Sequence, residues 1–351
     1  MGLCSQPMSR IDADNIAHSG SSPSDASKPL WVYHLLALCT ITIWSFSFLF
    51  IVWVNEFLTP AGVVVGRKLI FGVFVLALLV WRRPNVRGLS LRDWAIVVVV
   101  AIVAGPMYHL IFAWSAGQTA SGEPRIDTAL LGLIIATVPV HTAWLARLFL
   151  GERMHFIKII ALVLGLGGVA LVILGRYGRI DLLPREHLEG PIGVTIAAIV
   201  GGGIAVCTRA ARKVYGPFDL VAVSGVLIVL MCAAFAPIAE MHRFASMPAI
   251  GWVGIGFLGL FGSGVAFVTW ATALRGLQAA TAATYLFMAS VLGAIWAWIF
   301  RGQTIGWPFV PGAVMVFAGL LLMARYARSE ITLRDACKAI VPRRRVTEKK
   351  M

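Results

Sequence analysis

The side chains with the most chemical capacity in this sequence stand inside long apolar runs. Arg67 and Lys68 are consecutive in Gly66-Arg67-Lys68, His109 follows Tyr108, and His141 lies in Pro139-Val140-His141-Thr142. Trp44 sits between Ile43 and Ser45, and Tyr285 between Thr284 and Leu286. A guanidinium grips a carboxylate or phosphate, an imidazole titrates near neutral pH, and an aromatic face holds a cation or another ring. The sixteen Asp and Glu, by contrast, fall in tails, loops or the ends of apolar runs. No H-E-x-x-H, no pair of mid-run aspartates and no Ser–His–acid arrangement is visible, and the Gly-x-Gly patterns follow no strand. The set is one that binds rather than cleaves; neither an enzyme, nor a cofactor, nor a metal site is implied.

Arg67 is the sharpest candidate. In an apolar run from Pro60 to Trp81 it lies about three residues, roughly 5 Å, from the centre. An Arg there costs at least about 2.5–3.5 kcal/mol on insertion scales, and no carboxylate at that depth can pair with it. Two placements are open: a cavity in which carbonyls, water or an anionic substrate meet it, or snorkelling to headgroups about 10 Å away. Lys68, turned about 100° round the helix, reads as a snorkeller. The histidines have the same two readings, buried packing group or cavity group. His141 lies close to Pro139, which loosens the backbone there.

These residues are positioned by a membrane scaffold. Of 351 residues, 59% are hydrophobic and 13% charged, against about 45–50% and 25% in soluble domains. Ten apolar segments are predicted as helices, since backbone groups in hydrocarbon must bond within their own segment: 31–54, 60–81, 94–114, 128–149, 155–175, 190–211, 218–239, 250–271, 279–300 and 307–324. The runs are twice the length of outer-membrane β-strands. Most end-of-run tryptophans, such as Trp31, Trp81 and Trp307, fit an interfacial belt; Trp44 does not. Residues 1–30 read as a disordered tail and 325–351 as a basic one. Five cysteines form no C-x-x-C pair and read as reduced thiols.

With both termini inside, twenty Lys and Arg lie on the inner side and six on the outer side. The sequence therefore predicts an N-in, C-in protein of the bacterial cytoplasmic (inner) membrane. The net charge of +14 follows from this topology and implies no nucleic acid. The tail residues Arg343, Arg344, Arg345, Lys349 and Lys350 are expected to rest on anionic lipid.

An internal repeat runs at an offset of 151: Val140–Leu171 laid on Val291–Leu322 matches at eight positions, with a shared F-x-G step at Phe149/Gly151 and Phe300/Gly302. Five segments per copy is odd, so the copies, 31–175 and 190–324, enter the membrane from opposite sides. Inverted repeats place a substrate site near mid-membrane where the halves meet. Gly201-Gly202-Gly203, Gly262 and Gly264 are read as hinge or close-packing positions, with Pro139 as a further loosening point. Glu152 beside Arg153 is read as an ion pair or cap at the start of the fifth segment.

On these residues the chain resembles the drug/metabolite transporter superfamily, in its ten-helix EamA-type branch. The carriers are Ile43-Trp44-Ser45-Phe46-Ser47-Phe48, Gly66-Arg67-Lys68, Pro139, Leu150-Gly151-Glu152-Arg153 and the glycines from Gly165 to Gly168. The second copy departs with Gly302-Gln303 where the family shows Gly-Glu, and Ser121–Asp127 adds to the loop between segments three and four. The resemblance implies an alternating-access bundle moving small metabolites, often outward. The small four-helix multidrug relatives carry a Glu in their first helix; here that helix offers Thr40, Thr42, Ser45 and Ser47, which disfavours carboxylate-gated cation–proton exchange. The expectation is a secondary exporter of amino acids, related compounds or drugs, using Trp44, Arg67, Tyr108, His109, His141 and Tyr285. The alternative is a channel or a structural subunit of a membrane complex.

Overall fold

A computed structural model describes residues 29–86, 89–117, 125–178, 188–212 and 214–340. The described residues form ten apolar helices: α1 Leu30–Val54, α2 Pro60–Arg82, α3 Leu91–Ser115, α4 Thr128–Leu150, α5 Phe156–Tyr177, α6 Glu189–Ala211, α7 Pro217–Ala233, α8 Ala249–Gly276, α9 Ala279–Arg301 and α10 Phe309–Ile340. Local chemistry sets their ends. Thr59 caps α2, accepting from Gly62 N–H ahead of Pro60, where the missing proline N–H costs nothing. Ser90 and Asp93 form a reciprocal capping box on α3. Gly151 and Gly302 close α4 and α9 in the left-handed conformation, with φ of 65° and 62°; these are the two glycines of the F-x-G step.

Two boundaries differ from the sequence reading. The seventh segment was expected to reach Ala239, but α7 stops at Ala233. Pro237 is the cause: its ring would collide with the carbonyl four residues back, that of Ala233. Short 3₁₀ turns at Ala236–Ile238 and Met241–Ser246 follow instead. At the other end, the tenth helix was expected to stop at 324, but α10 continues to Ile340, ahead of Pro342. The N-terminal tail up to residue 28, the loop residues 118–124 and the basic cluster 343–350 lie outside the described residues.

The seam between α5 and α10 relates the two halves. A Cβ on Gly168 would lie 2.6 Å from Gly312 O, one on Gly312 2.7 Å from Gly168 O, and one on Gly319 2.7 Å from Ala161 O. At the end of the seam, Gly306 N–H donates to Gly175 O at 2.7 Å. Contact partners fall in number on α10 as they rise on α5, so the helices are antiparallel. The offset of 151 carries Ala161 to Gly312 and Gly168 to Gly319, so the contact 161/319 maps onto 168/312. A contact that maps onto itself between equivalent but antiparallel helices is a pseudo-two-fold, and the halves are inverted. The remaining packing obeys the same exchange: α2 lies on α7, α4 on α9, α1 on α8 and α9, and α6 on α3 and α4.

Four helices are interrupted, two in each half. Helix α3 carries a π turn at Val103–Met107, where Gly105 leaves helical geometry before Pro106, and α8 carries one at Leu260–Val265. Helix α4 breaks at Ala136–Thr137, and Pro139 then begins its second part where no N–H is required. Helix α9 breaks at Tyr285. Setting Pro60 of α2 on Pro217 of α7 superposes the two π turns in number, so the first half is six residues longer between α3 and α4, where Ser121–Asp127 was noted.

The seam yields a stability prediction. Gly168→Val forces the α5 and α10 backbones apart and is expected to cost about 1–3 kcal/mol, lowering the melting temperature of the detergent-solubilised protein by several degrees. Gly293→Ala, where an added methyl meets open space, should leave it unchanged or slightly raised. Equal melting curves for both variants would contradict the seam.

Candidate functional site

Helix α2 brings Arg67 against the π turn of α8. The two backbones approach closely at Gly259, where a Cβ would stand 2.7 Å from Arg67 O. The guanidinium then reaches the middle of α8, and its Nε and Nη2 both donate to Ser263 Oγ, at 3.3 and 3.1 Å. Only 9% of Arg67 is exposed, so its side chain ends inside the protein against α8. Two of its five N–H groups share one hydroxyl oxygen, and no carboxylate pairs with it among the described residues.

The π turn also explains Trp44. Ala266 N–H bonds to Phe261 O, five residues back, rather than to Gly262 O. The released Gly262 carbonyl accepts from Trp44 Nε1 on α1 at 3.0 Å. The Trp44 ring also packs on Trp270, centroids 5.4 Å apart. A side chain on Gly262 would strike Ser47 Oγ at 2.9 Å and approach Arg67 Nη2 at 3.7 Å, so this glycine keeps the crossing open. Gly264 admits Phe74 in the same way.

Lys68 corrects the sequence reading. It does not snorkel: it is 4% exposed, with its ammonium 5.5 Å from the centroid of the Phe71 ring. It donates no hydrogen bond to a described residue. Lys68 and Arg67 both lie within electrostatic reach of His109 on α3 and Cys232 on α7, and Arg67 also of Tyr108. The two cations thus serve one region, bounded by α2, α3, α7 and α8. On α3, His109 Nδ1–H donates to Gly105 O at 2.9 Å, at the point where Pro106 distorts the helix. The Tyr108 ring stands edge-on to His109 and stacks on Phe112.

The other two candidates lie elsewhere. Tyr285, at the break of α9, hydrogen-bonds His34 Nδ1 at 2.7 Å; His34 is ten residues, about 15 Å, along α1 from Trp44. His141 is half-buried where α4 packs on α6, its Cβ 3.0 Å from a Cβ built on Gly202. Helix α6 runs unbroken through Gly201, Gly202 and Gly203. There the absent side chains admit the Tyr108 ring, the α4 backbone and Val103.

Glu152 has different partners from those expected. Arg153 is exposed and the start of α5 is not the helix capped. Instead the carboxylate accepts from the N–H groups of Ala279 and Ala280 at 2.8 and 3.2 Å, capping α9, and pairs with Arg209 Nε at 3.2 Å. Arg209 Nη1 also donates to the carbonyls of Leu274 and Leu277 at the end of α8. Lys158 Nζ adds a bond to Gln278 Oε1 at 2.7 Å. This latch joins the halves on the face from which α1 starts. Sequence reasoning missed Arg209, counted there as a loop cation, and Ser263, whose only signal was a hydroxyl between two glycines in the middle of a run.

Two apolar grooves, of about 560 and 410 Å³, lie on the lipid-facing surface, the first between Val140, Trp144 and Leu166, the second between Phe50, Ile70 and Phe257. Neither is lined by any of the six candidates. Among the described residues, three buried polar atoms have no partner: Thr208 Oγ1, Trp270 Nε1 and Thr281 Oγ1. Among the described residues, no three His, Cys, Asp or Glu are grouped to hold a metal.

Comparison with known proteins places this geometry in a lineage. A "Probable terminal-alkyne amino-acid exporter" of Streptantibioticus cattleyicolor is 24% identical over 301 residues, 85% of this chain and 94% of its own. An "Uncharacterized transporter" of Archaeoglobus fulgidus is 22% identical, over 84% and 98%. The "Uncharacterized inner membrane transporter YedA" of Escherichia coli K12 is 23% identical, over 76% and 81%. A solved crystal structure shares the fold with a TM-score of 0.68 and 17% identity, covering 85% of this chain and 98% of its own. The profile of the EamA-like transporter family matches twice, at residues 31–174 and 188–325. With most of its length matched, once in each inverted half, this integral membrane chain belongs to the EamA-like transporter family.

Proposed function

We propose that this transporter is a secondary exporter of small metabolites that carry a carboxylate, amino acids foremost, and that Arg67 is its anion anchor. One observation carries the reading: a buried guanidinium, uncompensated by any described carboxylate, sits on the π turn of α8 at the junction of the two halves. Its free N–H groups match a carboxylate's paired oxygens. Trp44, Tyr108 and His109 supply aromatic and imidazole surface beside it, as a site for small organic solutes requires. His141 and Tyr285, on α4 and α9, serve the path rather than the anchor. The relative from Streptantibioticus cattleyicolor, named as an amino-acid exporter, supports this substrate class.

The proposed cycle is alternating access between the halves. The Lys/Arg distribution supports a cytoplasmic location for the face from which α1 starts, with both termini inside. The Glu152 latch closes that side here. Thr208 and Thr281, adjacent in sequence to the latch residues Arg209 and Ala280, are left with unpartnered hydroxyls. In a membrane protein such orphans are costly, and opening the latch gives them water. On the opposite side the equivalent of Glu152 is Gln303, which accepts a single bond from Arg176 at 3.2 Å. The acceptor there is an uncharged amide, so this closure is weaker than the carboxylate latch.

Two outcomes are expected. In proteoliposomes, counterflow of labelled amino acids should saturate, and Arg67→Gln should reduce it about 10–100-fold, the worth of a charge-assisted contact, with expression unchanged. Non-saturating flux without counterflow would indicate a channel, and full activity in Arg67→Gln would remove the anchor. Glu152→Gln, which removes the charge facing the half-buried Arg209, is expected to lower stability by about 1–3 kcal/mol. In a Thr281→Cys background it should also raise labelling by a membrane-impermeant maleimide from the cytoplasmic side. Unchanged labelling would show that Glu152 is no latch.

A further inference from the structure

We infer that Lys68 is a second anion contact beside Arg67 and that the substrate carries two negative groups, in the class of small dicarboxylates and acidic amino acids. The inference rests on the Arg67 reading above and narrows it. Lys68 is almost fully buried near mid-membrane, touching the Phe71 ring and forming neither a hydrogen bond nor an ion pair with a described residue. The groups around it are Arg67 on its own helix, His109 on α3 and Cys232 on α7. None of these is a carboxylate, and two consecutive cations therefore face a region with no fixed negative charge.

Charge balance decides the class. An ion in hydrocarbon needs a partner or it is expelled to the interface, and α2 holds both cations inside. A neutral amino acid brings one carboxylate but also an ammonium for which the region has no carboxylate, leaving the occluded complex at net +2. A monoanion leaves +1; an acidic amino acid also leaves +1, because its ammonium offsets one charge, but its two carboxylates can meet both cations. A dianion neutralises both, with one carboxylate on the guanidinium and the other on the ammonium, both cations lying within electrostatic reach of the same His109 and Cys232. The second half offers no such pair: at the positions equivalent to Arg67 and Lys68, α7 has Ser224, bonded to its own Leu220 O, and Gly225. The two-cation site is thus a property of one half, not of the repeat.

The test is counterflow in proteoliposomes of the full chain preloaded with glutamate, with labelled glutamate, succinate, leucine and lysine as probes. Wild type is expected to favour glutamate and succinate over leucine by about tenfold or more and to move lysine least. Lys68→Gln should shift the glutamate-to-leucine ratio about tenfold toward leucine, and Lys68→Arg should restore it. An unchanged ratio in Lys68→Gln, with transport still dependent on Arg67, would overturn this inference and leave the anchor intact. Full activity and an unchanged ratio in both Lys68→Gln and Arg67→Gln would overturn both readings. Should Lys68→Gln fail to accumulate, the wild-type ratio decides, and a preference for leucine overturns the dianion. Absence of counterflow for all four probes would overturn both readings.

Discussion

Within a bilayer an unpaired peptide group finds no water, and its cost of several kcal/mol organises this molecule. Several departures from regular helix and several helix ends are met by a side chain that takes up the released group. Where the π turn of α8 releases the Gly262 carbonyl, Trp44 donates to it; where Pro106 distorts α3, the His109 ring takes the Gly105 carbonyl. The first N–H groups of α9 are accepted by Glu152, and the last carbonyls of α8 by Arg209. The repairs come from a different helix in three of these four cases. Irregular backbone at membrane depth thereby becomes the means by which helices far apart in sequence are fixed to one another.

The same reasoning separates what is symmetric from what is not. Backbone features repeat: the π turns, the breaks in α4 and α9, the left-handed glycines and the reciprocal glycine contacts of α5 and α10. The polar side chains do not. Arg67 and Lys68 face Ser224 and Gly225 across the pseudo-axis, and Glu152 faces Gln303. A duplicated scaffold supplies two interchangeable halves, and a few substitutions within it give the assembly a charged interior and distinguishable sides.

Much of this was legible in the residues. Apolar run length gave the ten helices, because hydrocarbon leaves the chain no other choice, and the odd number per copy gave the inversion. For Arg67 the sequence left a cavity-facing and a snorkelling placement open and held no means to choose between them. What stayed hidden depended on partners remote in the chain. The interruptions at Leu260–Val265 and Tyr285 have no periodic signature, since a single added residue per turn leaves an all-apolar run looking unchanged. Lys68 read as a snorkeller because helical phase alone places it away from Arg67, whereas α3 and α7 wrap α2 on both sides. Glu152 read as a partner of its neighbour Arg153, yet its contacts are 57 and 127 residues away. The end of α7 was the exception: Pro237 was present to mark it.

The self-mapping seam has a consequence for energetics. If two halves rock about an axis that exchanges them, the inward-open and outward-open shapes are built from the same set of backbone contacts and differ little in their helix packing. Their relative populations then hinge on the few groups that the exchange does not preserve, chief among them a carboxylate at 152 against an amide at 303. Since about 1.4 kcal/mol shifts such an equilibrium tenfold, a single oxygen-for-nitrogen difference suffices to decide on which side of the membrane the resting protein waits.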